Sequence, residues 1–248
     1  MIHQLNPVSQ QLSRSAADQF TGSTFPIELC IHVIEETTAT SALAQWAMTC
    51  RALRHKAETN LYRTVSITYD IEATLCFCKT VLLCRRRALS AKSFCLHMSH
   101  SRELNPPNKA RAATFVANVA LGIMRNLQAL ELYVVEPDLL HDVRLPILRH
   151  FATNLAVDHS LIEFIKAHAQ IEELKLHYCI TQRTTAAPVD LPRLRTLTTG
   201  VTSSLRDLRI FSPLTHLYLP AFALPVLQEV VELFGSTLVS LKLGSPTP

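Results

Sequence analysis

One spacing constrains this chain more than any single motif: apolar, two others, apolar, one other, apolar, met eight times after residue 61. The instances begin at Tyr62, Ala91, Leu127, Leu148, Ile171, Leu194, Leu214 and Leu238, as in Leu127–Leu132 and Ile171–Leu176. Their starts lie 29, 36, 21, 23, 23, 20 and 24 residues apart. The alternation closing each unit is a strand signature, because successive strand residues face opposite ways. A repeat of about 20–29 residues has room for one strand and a short return, which lays each strand parallel to the one before.

The pattern sorts side chains by face. Leu130, Leu132, Leu174, Leu176, Leu217, Leu219, Leu241 and Leu243 are predicted to be nearly fully buried. The residues between them line the other face: Cys95, His97, Glu131, Tyr133, His150, Asn154, Glu173, Lys175, His177, Thr196, Thr198, His216, Tyr218, Ser240 and Lys242. Returns with helical periodicity are expected at Ile71–Arg87, Asn108–Met124, Ser160–His168 and Val226–Phe234, with Asp70 and Asp158 as starts and Gly235 as a stop. Pro146, Pro192 and Pro213 fall just before strands, where no ladder bond is lost.

Residues 66–248 resemble an irregular leucine-rich repeat array. The resemblance implies an α/β solenoid with its parallel strands on the concave face. The family's asparagine after the strand is missing, and only Cys179 occupies that slot. A doubly wound α/β domain is the alternative, but repeats of this length leave little room for full crossover helices. With five glycines, the chain also has no glycine-rich phosphate loop. After Leu238–Leu243 only Gly244 to Pro248 remain, so either the product is truncated or prolines and a short tail blunt the last edge.

Ahead of the array, Pro26 opens an apolar run interrupted only by Glu28 and His32. Pro26 suits the first position of a helix and Glu28 its positive end. Ile27, Ile31 and Ile34 make one stripe, and Leu29 and Val33 a second. Two apolar faces on a short helix predict burial on both sides, or one face given to a partner. Two further helices follow, the second with Leu53, Ala57 and Leu61 on one side. Phe25-Pro26-Ile27-Glu28-Leu29, then Ala47-Met48-Thr49-Cys50-Arg51-Ala52-Leu53, then Leu61-Tyr62-Arg63-Thr64-Val65 resemble an F-box of the divergent fungal type, with Phe25 where the family has leucine. The domain reading is a flexible tail at 1–23, an F-box-like three-helix module at 24–65 and the repeats at 66–248. A plain helical cap on the repeat domain is the alternative for the module.

The resemblance implies docking on a Skp-type adaptor, and through it a cullin, by Phe25, Pro26, Ile27, Leu29, Ile31, Val33, Ile34, Trp46, Cys50 and Leu53. It implies a substrate-recognition subunit of a ubiquitin ligase whose repeats hold the protein to be modified. Glu131, Tyr133, Glu173, Lys175, His177, His216 and Tyr218 are the candidate substrate-binding residues. A solvated strand face and a histidine metal site are the other readings of that row. A repeat scaffold without a ubiquitin role, and a hydrolase hidden in an α/β domain, are the competing functions.

The chain contains no His-Glu-x-x-His, Gly-x-Ser-x-Gly, P-loop or dinucleotide fingerprint, so a non-enzyme without cofactor or metal is expected. The net charge of +4 is mild, and Arg85-Arg86-Arg87, the one basic run, reads as a solvated helix end rather than a nucleic-acid site. Seven cysteines, an odd number without paired zinc spacing, read as buried free thiols of a reducing compartment. The N-terminus is too polar for a signal peptide, and the longest apolar run, 112–124, is too short to span a membrane and contains Asn118. The expected address is cytoplasmic or nuclear.

Overall fold

The structure, a computed structural model, describes residues 26–98, 107–133, 137–177, 189–200, 210–222 and 224–246. Phe25, Cys179 and the tail at 1–23 lie outside these. The chain divides into two compact units, 1–60 and 61–248. The segment Leu61–Val65, grouped above with the helical module, therefore belongs to the second unit. Its Tyr62 ring stacks on Phe77 at 6.3 Å, Phe77 stacks on Phe94 at 5.2 Å, and the Arg87 guanidinium lies 5.3 Å from the Tyr62 ring centre.

The first unit holds helices α1 (Ile27–Glu36), α2 (Thr40–Thr49) and α3 (Arg51–Leu61), the last ending one residue beyond it. Pro26 sits at the N-cap, one position earlier than expected, and its carbonyl accepts from Leu29 N–H at 3.0 Å. At the other end of α1, Thr37 Oγ1 donates to Val33 O at 2.6 Å. Asn60 Nδ2 donates to Ile34 O at 2.7 Å, tying α3 to carbonyls that α1 leaves free at its end. An ion pair between Lys56 and Glu35 reinforces the same junction.

The second unit is an α/β fold built on an eight-stranded, all-parallel sheet: β1 (Thr64–Thr68), β2 (Ser93–His97), β3 (Ala129–Tyr133), β4 (His150–Thr153), β5 (Glu173–Leu176), β7 (Thr196–Thr199), β9 (His216–Phe222) and β10 (Ser240–Pro246). Spatial order equals chain order, with no switch point of the doubly wound kind. Two short strands of the returns, β6 (Val189–Asp190) and β8 (Ile210–Phe211), pair separately. Every expected strand is present, and pairing runs Thr64, Ser93, Ala129, His150, Glu173, Thr196, His216, Ser240 without a slip.

The returns include α4 (Ile71–Leu83), α5 (Arg85–Ser90), α6 (Pro107–Ile123), α7 (His159–Lys166) and α8 (Leu224–Phe234). Asp70 Oδ1 accepts from Ala73 N–H and Asp158 Oδ1 from Leu161 N–H, each at 2.8 Å, so both aspartates cap as expected. Gly235 follows the end of α8, where a Cβ would meet Val231 O at 2.5 Å. Asn118 of α6 donates to Leu139 O and His141 O, each at 2.9 Å, and fastens the single helical turn at Pro137–Leu140.

In-register pairing stacks the inward residues in rows. Ala91, Leu127, Leu148, Ile171, Leu194 and Leu214 form one, and Phe94, Leu130, Phe151, Leu174, Leu197 and Leu217 the next, all buried. In the third row Thr153 and Thr199 stand where the other strands have leucine or, on β1, isoleucine, and Thr153 Oγ1 accepts from Leu155 N–H at 3.1 Å. Leu241 and Leu243 depart from expectation, each 40% exposed. They lie on β10, the last strand of the described sheet, which pairs with β9.

His168 is a buried link between two repeats. Its Nδ1 donates to Phe164 O at 2.5 Å and its Nε2 accepts from Leu145 N–H at 2.9 Å, an arrangement only the neutral ring can make. Burial, above all, holds its pKa below the ordinary histidine value.

Two measurements check this account. Leu174→Ala should cost roughly 2–5 kcal/mol in denaturant unfolding. The exposed Leu241→Ala should cost clearly less, and Lys175→Ala within about 0.5 kcal/mol. A base whose native pKa is depressed binds protons more readily when unfolded, so its contribution is present above about pH 6.5 and is lost as pH falls below that. His168→Gln should flatten that part of the stability–pH curve.

Candidate functional site

The candidate residues fall on both units. On the helical unit Ile27, Leu29 and Val33 are 43%, 49% and 44% exposed, and Met48 at the end of α2 is 80% exposed. Leu29 and Val33, one turn apart, form an open apolar stripe; in water such a stripe costs solvation that a partner would recover. Ile31 and Trp46 are half-buried and Pro26 and Cys50 exposed. Ile34 and Leu53, expected at the contact, are buried and serve as packing instead. The sequence reading passed over Met48, although it lies inside the quoted motif.

On the second unit the strands set the outward residues in register. Glu131 and Lys175 lie on one level with Ala152 between them, and Tyr133 and His177 lie on the next with Asn154 between. His216 shares a level with Glu173, and Tyr218 with Lys175. The candidate residues Tyr133, His177, His216 and Tyr218 are therefore split between levels, with Thr196 and Thr198 of β7 between the two pairs. Tyr218 and His216 form a second patch: Lys242 Nζ lies 5.1 Å from the Tyr218 ring centre, and His216 Nδ1 is 2.8 Å from Thr215 Oγ1.

The first patch is an aromatic row. His97 stacks on Tyr133 at 4.2 Å and 20°, Tyr133 meets His177 at 5.6 Å and 40°, and Tyr69 meets His97 edge-on at 6.1 Å. Tyr69, with φ of 56°, sits in the left-handed region, an uncommon conformation for a tyrosine. No sequence signal marked Tyr69, because it falls after the strand pattern ends.

Charge organises around the row. Glu173 accepts from Lys175 at 2.8 Å and lies 3.0 Å from His150 Nδ1; the Lys175 hydrogen bond, first, lowers its pKa. Glu131 Oε2 accepts from the Cys95 thiol at 3.7 Å. Burial, then the Glu131 charge, pushes the Tyr133 hydroxyl pKa up. Burial also raises Cys95, with a further rise from Glu131, while burial and then Lys175 lower His177.

Among the described residues no three His, Cys, Asp or Glu side chains converge on a metal position, and no helix is long and apolar enough to cross a membrane. The six described cysteines are unpaired; Cys50 and Cys76 are exposed rather than buried, while burial pushes the Cys78 thiol up to about 12. Compared with known proteins, the chain matches no family model and no curated sequence.

Thiol labelling reads this electrostatic layout directly. Under iodoacetamide at pH 8, Cys50 and Cys76 should react before Cys95, and Cys78 only on unfolding. Glu131→Gln removes a charge that raises Cys95, so Cys95 alkylation should accelerate in that variant, measured by mass spectrometry.

Proposed function

We propose that this protein is a non-enzymatic substrate receptor of a Skp–cullin–F-box type ubiquitin ligase. In this reading the helical unit is an F-box-like module that docks on a Skp-type adaptor. The parallel-strand unit is an irregular leucine-rich repeat solenoid whose open strand face holds the protein to be ubiquitinated. The chain contributes proximity rather than bond chemistry, in the cytoplasm or nucleus.

The observation that carries the reading is the exposed Ile27–Leu29–Val33 set on the helix that bears the Pro-x-Glu-Leu pattern, with a further exposed apolar residue, Met48, on the same unit. A helix of that length leaving such side chains in water calls for an apolar partner. The aromatic row supports the receptor half, since rings presented on a repeat surface are well suited to anchor a protein contact.

Leu29→Asp is the test. The position is half exposed, so the fold tolerates the charge, whereas burying it unpaired in an apolar interface should cost of order 3 kcal/mol or more. Capture of a recombinant Skp-type adaptor should fail while the thermal midpoint stays put. Undiminished capture by the variant rejects the adaptor reading.

A further inference from the structure

We infer that the exposed rim at the start of the parallel strands, from Arg63 to Arg195, takes an acidic polypeptide segment that carries a carboxylate at every third residue. Calling that segment part of the protein held for ubiquitination rests on the receptor reading above; the rim itself is a product of the backbone.

At the start of each strand two successive N–H groups share one carbonyl of the strand before. Lys92 and Ser93 both donate to Arg63 O, and Arg195 and Thr196 both donate to Glu172 O; the three junctions between follow the same rule, all at 2.8–3.1 Å. Two residues against one is the count of a β-bulge. Repeated without a break, it sets Arg63, Lys92, Gln128, Arg149, Glu172 and Arg195 in one row, with neighbours about 4.8 Å apart.

The row is mostly positive. Arg63, Lys92, Arg149 and Arg195 are all exposed, against one acid, Glu172. Among the described residues Arg63, Lys92 and Arg195 have no ion-pair partner. Arg149 meets Glu172 at 3.5 Å, with both side chains partly in water. A pair of that kind contributes little and leaves most of the five guanidinium donors unused. Glu173, one residue along, is already held by Lys175 and His150. A line of exposed cations of this kind calls for an anionic partner.

The spacing selects which one. Lys92, Arg149 and Arg195 are each two strands apart, about 9.6 Å. A polypeptide in the polyproline II conformation has three residues per turn, so every third side chain returns to one side about 9.3 Å further on. Carboxylates at i, i+3 and i+6 therefore meet the three cations in turn, and the residues between them turn away from Gln128 and Glu172. Arg63, one strand before Lys92, doubles the positive charge at that end. A nucleic-acid strand fits less well, because it carries a phosphate at every nucleotide and cannot skip Glu172. The rings that would stack its bases, His97 and Tyr133 among them, lie at the other ends of the strands.

The test uses the full chain and fluorescein-labelled nonapeptides, read by anisotropy at low salt, where exposed charges are screened least. Three Glu-Pro-Pro triplets should bind at least tenfold tighter than three Gln-Pro-Pro triplets. They should also bind several-fold tighter than a peptide of the same composition with its glutamates together. Lys92→Ala and Arg195→Ala should each weaken binding several-fold with unchanged thermal midpoints. Glu172→Gln should tighten binding several-fold, which a merely structural role for that residue would not produce. Lys79→Ala, at an exposed lysine of α4, should leave binding unchanged. Equal binding of the glutamate and glutamine triplets overturns the proposal. So does equal loss from Lys79→Ala and Arg195→Ala, since overall charge rather than the rim then attracts the peptide. Equal binding of the clustered peptide overturns the every-third-residue match. Tighter binding of an oligothymidylate of nine nucleotides than of the glutamate triplets gives the rim to nucleic acid and overturns the peptide. The two readings fail separately. Loss of the triplet preference in a chain that still captures adaptor rejects the rim alone, and adaptor capture undiminished by Leu29→Asp rejects the receptor reading while the peptide ratios stand.

Discussion

The second unit depends on the backbone ladder that keeps successive repeats in step. A parallel strand shifted by one residue would turn its whole apolar set outward. Here Phe94, Leu130, Phe151, Leu174, Leu197 and Leu217 fall at one level because each preceding residue pairs in turn, from Ser93 to His216. Once those six stack in the dry interior, the residues before and after them must face away. The placement of Glu131, Tyr133, Lys175 and His177 on one surface follows from where the leucines go.

The rings and charges on that surface were selected under different physics from the core. Tyr133 is half-buried between His97 and His177, so it is already fixed before anything binds, and an ordered ring loses little freedom on contact. Glu173 is engaged by two bases, while Glu131 accepts a hydrogen bond from the Cys95 thiol. Two carboxylates on adjacent levels thus differ in what they can still accept. On the helical unit, Ile34 is withdrawn into the packing while Leu29 and Val33 stay out, which divides one short helix between holding its own unit together and meeting another.

The strands were legible because period-two alternation, repeated at near-constant spacing, specifies both element and face. The caps were legible for a local reason: Asp70 and Asp158 each stand directly before a helical apolar pattern. What the alternation could not show, even with the last strand read as an edge, is how much of its inward face stays open. Leu241 and Leu243 carry the same letters as Leu174 and Leu176 but stand on the last strand of the described sheet and are each 40% exposed. Nor could it show side-chain lean across strands. Asn154 was readable as outward-facing, but its unmet oxygen exists only because of how the surrounding side chains settle. The assignment of Ile34 and Leu53 to a contact surface failed for a related reason, since helical stripes say which residues are apolar together and not which stripe is covered.

Strand order that follows chain order has one more consequence. No hydrogen-bonded strand pair of the main sheet closes a loop longer than one repeat, and the longest, between β2 and β3, spans 36 residues against 20 for the shortest. Closure entropy grows only logarithmically, so that difference amounts to about 0.5 kcal/mol. Returns of unequal length are therefore almost equivalent thermodynamically. A lineage could lengthen, shorten, duplicate or delete one of them without rethreading the rest, and the uneven spacing of this array has the form such a history would leave.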